Sequence, residues 1–80
     1  MRARDAGAWR EVAQFGAALR TIRERQGMSQ TDLSKASGLH RTHISRIERG
    51  LCEPRFETLM KLRDGLGSLA DVFALAEQAP

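Results

Sequence analysis

The sequence predicts an all-α fold, a compact bundle of five helices, and three observations carry that prediction. Apolar residues recur at spacings of three and four along five separate stretches, the period of a helix with one buried face. Gly27, Gly38, Gly50, Pro54 and Gly67 fall between those stretches, where helices end. No run alternates apolar and polar residues as a half-buried strand would.

Helix 1 is expected from about Ala8 to Gln26, with Trp9, Val12, Phe15, Leu19 and Ile22 as its apolar stripe. Arg20, Arg23, Glu24 and Arg25 take much of the remaining circumference. Gly16 weakens the helix interior and marks a close helix–helix approach, and Gly27 ends the helix. Helix 2 starts at Ser29, whose hydroxyl is placed to cap the amide of Asp32. Leu33 and Ala36 are its inward residues, Ser37-Gly38 closes it, and Leu39 plugs the turn that follows. Helix 3 spans about Arg41 to Arg49, with Ile44 and Ile47 inward and Arg41, Thr42, Ser45 and Arg46 outward, and Gly50 terminates it. Leu51 to Pro54 is a loop, because proline disfavours the helical conformation in the residue before it. Helix 4 follows from Phe56 to Gly65, with Phe56, Leu59 and Leu62 as its apolar set and Leu66 at the margin. Ser68 and Asp71 have the spacing of a capping box for helix 5. Leu69, Val72, Phe73 and Leu75 or Ala76 give that helix a broad apolar face.

Eighty residues make a single domain, 1–80, with 1–7 and 77–80 expected to be flexible ends. A chain this short buries only about 60 % of the surface its unfolded form exposes, so dimerisation would add useful apolar burial. The one cysteine, Cys52, excludes an intramolecular disulfide and makes a reducing, cytoplasmic setting the default. His40 and His43 share a helix face but lack the further ligands a metal site needs, so no metal and no cofactor are expected. No stretch has the apolar length of a membrane span. No nucleophile–base–acid signature or glycine-rich phosphate loop is present, so an enzyme is not expected.

The net charge of +3 is unevenly spread. Between residues 20 and 55, Arg20, Arg23, Arg25, Lys35, Arg41, Arg46, Arg49 and Arg55 face only Glu24, Asp32, Glu48 and Glu53, a balance of +4. Residues 56–80 set Lys61 and Arg63 against Glu57, Asp64, Asp71 and Glu77, a balance of −2. The basic excess therefore lies on and around helices 2 and 3. Eleven of the thirteen basic residues are arginine, whose planar fork suits phosphate and guanine. Two short amphipathic helices joined at Gly38, the second loaded with Arg, Thr and Ser outward, have the outline of a helix-turn-helix.

The ordered set Phe15-Gly16-x-x-Leu19-Arg20-x-x-Arg23, Gly27-Met28-Ser29-Gln30-x-x-Leu33, Gly38-Leu39, Ile44-Ser45-x-Ile47-Glu48-x-Gly50, Pro54 and Thr58-Leu59 resembles the phage-repressor-type (XRE, Cro/cI-like) helix-turn-helix family. The resemblance covers about three quarters of the chain, from Phe15 to Phe73. It implies a five-helix bundle of the lambda-repressor-like DNA-binding type that binds a palindromic operator in double-stranded DNA as a homodimer. A phage repressor, a restriction-modification controller protein and an antitoxin-like regulator all fit that layout.

By the same resemblance, Arg41, Thr42, Ser45 and Arg46 are the base-reading candidates. Arginine can donate twice to guanine, and threonine offers a hydroxyl and a methyl. Gln30 matches the family's phosphate-binding glutamine, with Ser29, His43, Arg49 and Arg55 as further backbone contacts. Arg23 and Glu48 match positions that form a partly buried ion pair between helices 1 and 3. The helix 5 residues Leu69, Val72 and Phe73 are expected to form the dimer face, setting two recognition helices about 34 Å apart. Trp9 either extends the core or covers that interface. The alternative is a protein–protein interaction module, antitoxin- or adaptor-like, that keeps the fold without reading an operator.

Overall fold

Five helices form, in the order α1 (Ala3–Arg25), α2 (Gln30–Ser37), α3 (Arg41–Glu48), α4 (Phe56–Leu66) and α5 (Ala70–Glu77), in a computed structural model that describes residues 3–78. No strand occurs among the described residues. α1 packs on α3 and α5, and α2 packs on α3 and α4. One core joins them: Phe15, Leu19 and Ile22 from α1, Leu33 from α2, Leu39 from the turn, Ile44 and Ile47 from α3, Leu62 and Leu66 from α4, and Leu69 and Val72 at α5.

α1 begins at Ala3 rather than near Ala8. Glu77 closes α5. The remaining terminal positions, 1–2 and 79–80, lie outside the described residues. Trp9 stands exposed at one end of the α1 stripe and is not part of the core.

α2 carries a complete capping box. Ser29 Oγ accepts from the Asp32 amide and Asp32 Oδ2 accepts from the Ser29 amide, each at 2.9 Å. The Ser29 N–H holds the Asp32 carboxyl below its usual range. Its contribution to stability is therefore present above the unfolded-state pKa and is lost as pH falls through the lowered folded value. At the other end Gly38 takes φ +81, the left-handed conformation that lets the chain turn sharply into α3. Ser37 is buried and accepts the Leu39 amide at 3.1 Å, while Ala36, expected to face inward, is exposed. A second serine, Ser34, donates to the Leu39 carbonyl. The turn is thus fastened by two hydroxyls on α2.

α4 buries Thr58, Leu62 and Leu66, residues four apart on one face, with Leu59 half-buried beside them. Phe56, expected in the apolar set, lies off that stripe and is 74 % exposed. Gly65 does not end the helix. It sits where α4 crosses α2, and a Cβ there would stand 2.9 Å from Leu33 Cδ1 and 3.0 Å from Ser37 Cβ.

α5 starts at Ala70, with Leu69 as a cap residue that makes no side-chain cap bond. Ser68 lies one residue too early for the expected box with Asp71, and its hydroxyl accepts the Ala70 amide at 3.0 Å instead. Leu69 and Val72, expected at a dimer face, are core residues of the protomer, 7 % and 0 % exposed. Phe73 differs: it is 45 % exposed and its ring packs at 5.4 Å on Phe15.

Candidate nucleic-acid interface

α3 is short and divided cleanly into two faces. Ile44 and Ile47 are fully buried, and Glu48 lies with them on the core side. Arg41, Thr42 and Arg46 are exposed, with His43 and Ser45 half-buried at the margins. The helix starts at His40, whose Nδ1 accepts the Thr42 amide at 3.1 Å. The sequence signal for this cap is a polar residue one position before the helix, the place where a side-chain acceptor meets free amides. At the far end the Arg49 amide donates to the Ser45 carbonyl at 3.0 Å and its Nε reaches the same oxygen at 3.4 Å.

The end of α3 rests directly on α1. An added Cβ at Gly16 would lie 2.1 Å from the Ile47 carbonyl oxygen and 3.0 Å from that of Glu48. Only a residue without a side chain permits this approach, and it brings Glu48 beside Arg23.

Arg23 Nε donates to Glu48 Oε2 at 2.7 Å and a terminal nitrogen donates to Oε1 at 3.0 Å, a two-pronged pair. The other terminal nitrogen donates to the Met28 carbonyl at 2.7 Å. Side-chain exposures of 8 % and 2 % place the pair inside the protein. The hydrogen bonds to Glu48 raise the Arg23 pKa above its ordinary value, against the opposing effect of burial. Its stabilising contribution is fully present below the unfolded-state value and so does not change across the ordinary pH range. Glu48 accepts a third bond, from Gln30 Nε2 at 3.0 Å. Among the described residues no buried side-chain polar atom is left without a partner.

Gln30 opens α2 and borders a cleft of about 130 Å³ with Arg41, Thr42 and Ser45. The first turn of α2 and the outward face of α3 therefore share one concave surface. Ser29, at the same end of α2, is exposed with its oxygen engaged in the capping box. Arg55 stands exposed as the cap residue of α4, without a side-chain cap bond. The Gln30–Glu48 bond leaves no mark in the sequence, since only the fold brings residues eighteen positions apart together.

Among the described residues no cluster of three or more His, Cys, Asp or Glu is placed to hold a metal ion, and no helix is long and apolar enough to cross a membrane.

The fold is similar to that of the restriction-modification controller protein C.AhdI from Aeromonas hydrophila, at 32 % identity and TM-score 0.73, covering 78 % of this chain and 96 % of that one. It is similar also to the controller protein C.Esp1396I, solved as a tetramer in complex with its natural 35 base-pair operator, at 29 % identity and TM-score 0.77, covering 85 % and 91 %. An HTH-type transcriptional regulator of Sinorhizobium fredii, y4dL, is 54 % identical over 54 residues, 68 % of this chain. The match spans 22 % of that relative, so the chain corresponds to about a fifth of its length. Residues 19–73 match the Helix-turn-helix family HTH_3 and include all of α2 and α3. The chain belongs to that family and has its DNA-binding helix-turn-helix fold.

Proposed function

We propose that the chain binds double-stranded DNA sequence-specifically, as a twofold dimer on a palindromic operator, and so regulates transcription. The carrying observation is the division of α3: Arg41, Thr42 and Arg46 are turned to solvent by a helix whose opposite side is locked into the core. A helix fixed this way offers a row of donors of the right width for the major groove. In this reading Arg41 and Arg46 donate to guanine, Thr42 meets a base or the adjoining phosphate, and Ser45 sits at the edge of the reading surface. Ser29 and Gln30 lie at the start of α2, where helix polarity favours phosphate. His43, Arg49 and Arg55 add backbone contacts. The controller protein solved on its operator supports the same use of a similar fold.

For the dimer, Phe73 carries the reading in place of the buried Leu69 and Val72. It borders a depression of about 430 Å³ with Glu11, Gln14, Phe15, Ala76 and Glu77, between α1 and α5. Trp9, 48 % exposed, does not line that depression. Phe73→Asp is expected to shift the protein to monomer in sedimentation equilibrium; an unchanged dimer would move the interface elsewhere.

Selection from random duplexes tests the function. The expected outcome is a palindromic consensus, bound with an affinity that falls about a thousandfold from about 50 to about 200 mM salt if six phosphates are contacted. No consensus together with a flat salt response would favour a protein-interaction module.

A further inference from the structure

We infer that Glu48 is a positioning residue for the DNA-facing surface, acting through Gln30, and that the buried ion pair is therefore part of the recognition apparatus. The inference rests on the DNA-binding reading above. A glutamine amide has two chemically opposite ends, one that only donates and one that only accepts. In a half-exposed position it can turn over and exchange them. Here the Nε2 end lies 3.0 Å from Glu48 Oε1, and a carboxylate only accepts. Turning the amide over would set its carbonyl oxygen against that carboxylate, so one orientation is enforced.

The enforcing group is itself held. Two arms of Arg23 grip Glu48, and a third nitrogen of the same guanidinium is tied to the Met28 carbonyl. A continuous chain of bonds thus runs from the end of α1, through the last residue of α3, to the first residue of α2. Gln30 is left with one N–H and its carbonyl oxygen to offer in the cleft it shares with Arg41, Thr42 and Ser45. A strut between α1 and α3 alone would need only Arg23 and Glu48. The third bond ties the start of α2 to α3, the two segments that must meet one DNA duplex at the same moment. Reading then depends on a residue that touches no DNA.

The test measures affinity for the selected duplex in Gln30→Met, Glu48→Gln and the double variant, with side-chain amide resonances of the free proteins. Glu48→Gln keeps the size of the side chain but offers an NH2 group, so it permits the reversed orientation of Gln30. Each single variant is expected to weaken binding about tenfold, and the double variant by about the same, because both remove one shared contact. The Gln30 amide resonances should move in Glu48→Gln before any DNA is added. Gln30→Asn, too short to bridge Glu48 and the cleft, should lose as much as Gln30→Met with the core pair untouched, so the idea stays testable even if Glu48→Gln fails to fold. A hundredfold loss in the double variant, wild-type affinity in Gln30→Asn, or unmoved amide resonances would each overturn the inference. A wild-type protein that selects no duplex would overturn the DNA-binding reading, while the amide resonances would still decide whether Glu48 orients Gln30.

Discussion

Glu48→Ala is expected to lower the free energy of unfolding by about 3–5 kcal/mol, because it leaves the Arg23 guanidinium buried and stripped of its counter-charge. An 80-residue domain holds roughly 4–12 kcal/mol in total, so this one change removes a large share of it. In thermal unfolding the midpoint should drop by more than about 10 °C. The size of the loss reflects desolvation rather than the intrinsic worth of an ion pair. Arg23→Met combined with Glu48→Leu should accordingly recover most of it, since two apolar side chains of similar volume replace two buried charges. A Glu48→Ala protein that melts with the wild type would show the pair to be dispensable.

Gly16→Ala is expected to be as damaging, for a steric reason. The new methyl would lie 2.1 Å from the Ile47 carbonyl oxygen, closer than any real carbon–oxygen contact, and its neighbour is backbone. No rotamer change relieves it. α1 and α3 must separate, and with them the core that Phe15, Leu19, Ile44 and Ile47 share loosens. Overpacking costs about 1–3 kcal/mol in cores where side chains can yield, and a backbone clash belongs at or beyond the upper end. Urea unfolding measures the cost, and a loss below about 1 kcal/mol would contradict the close approach. Gly65→Ala is the informative comparison: its nearest neighbours are the Leu33 and Ser37 side chains at 2.9 and 3.0 Å, with no backbone atom nearer than 3.2 Å, so a smaller loss is expected.

The order of the five helices was legible because each is short, periodic and bounded by a residue with a specific backbone preference, Gly38 most plainly. The outward set on α3 was legible for the same reason: Ile44 and Ile47 fix which side is buried, and Arg41, Thr42 and Arg46 follow by geometry. The errors arose where hydrophobicity and position disagreed. Phe56 looked like core by its chemistry, but the buried face of α4 is defined by Thr58, Leu62 and Leu66. Ala36 lost its inward place to Ser37, whose hydroxyl has a partner in the turn. Leu69 and Val72, expected at a dimer face, are taken up by the core, because the depth available between α1 and α5 depends on how the helices cross. The Gln30–Glu48 bond was illegible for a different reason: nothing in local periodicity reports which polar side chains will converge.

The two-faced character of α3 bears on how such a protein can change over generations. Exposed positions away from special contacts tolerate substitution within about 0.5 kcal/mol, so Arg41, Thr42 and Arg46 are open to replacement without endangering the fold. On the proposed reading, binding preference can then change while the scaffold stays intact. Ile44 and Ile47, with no exposed surface, have no such liberty.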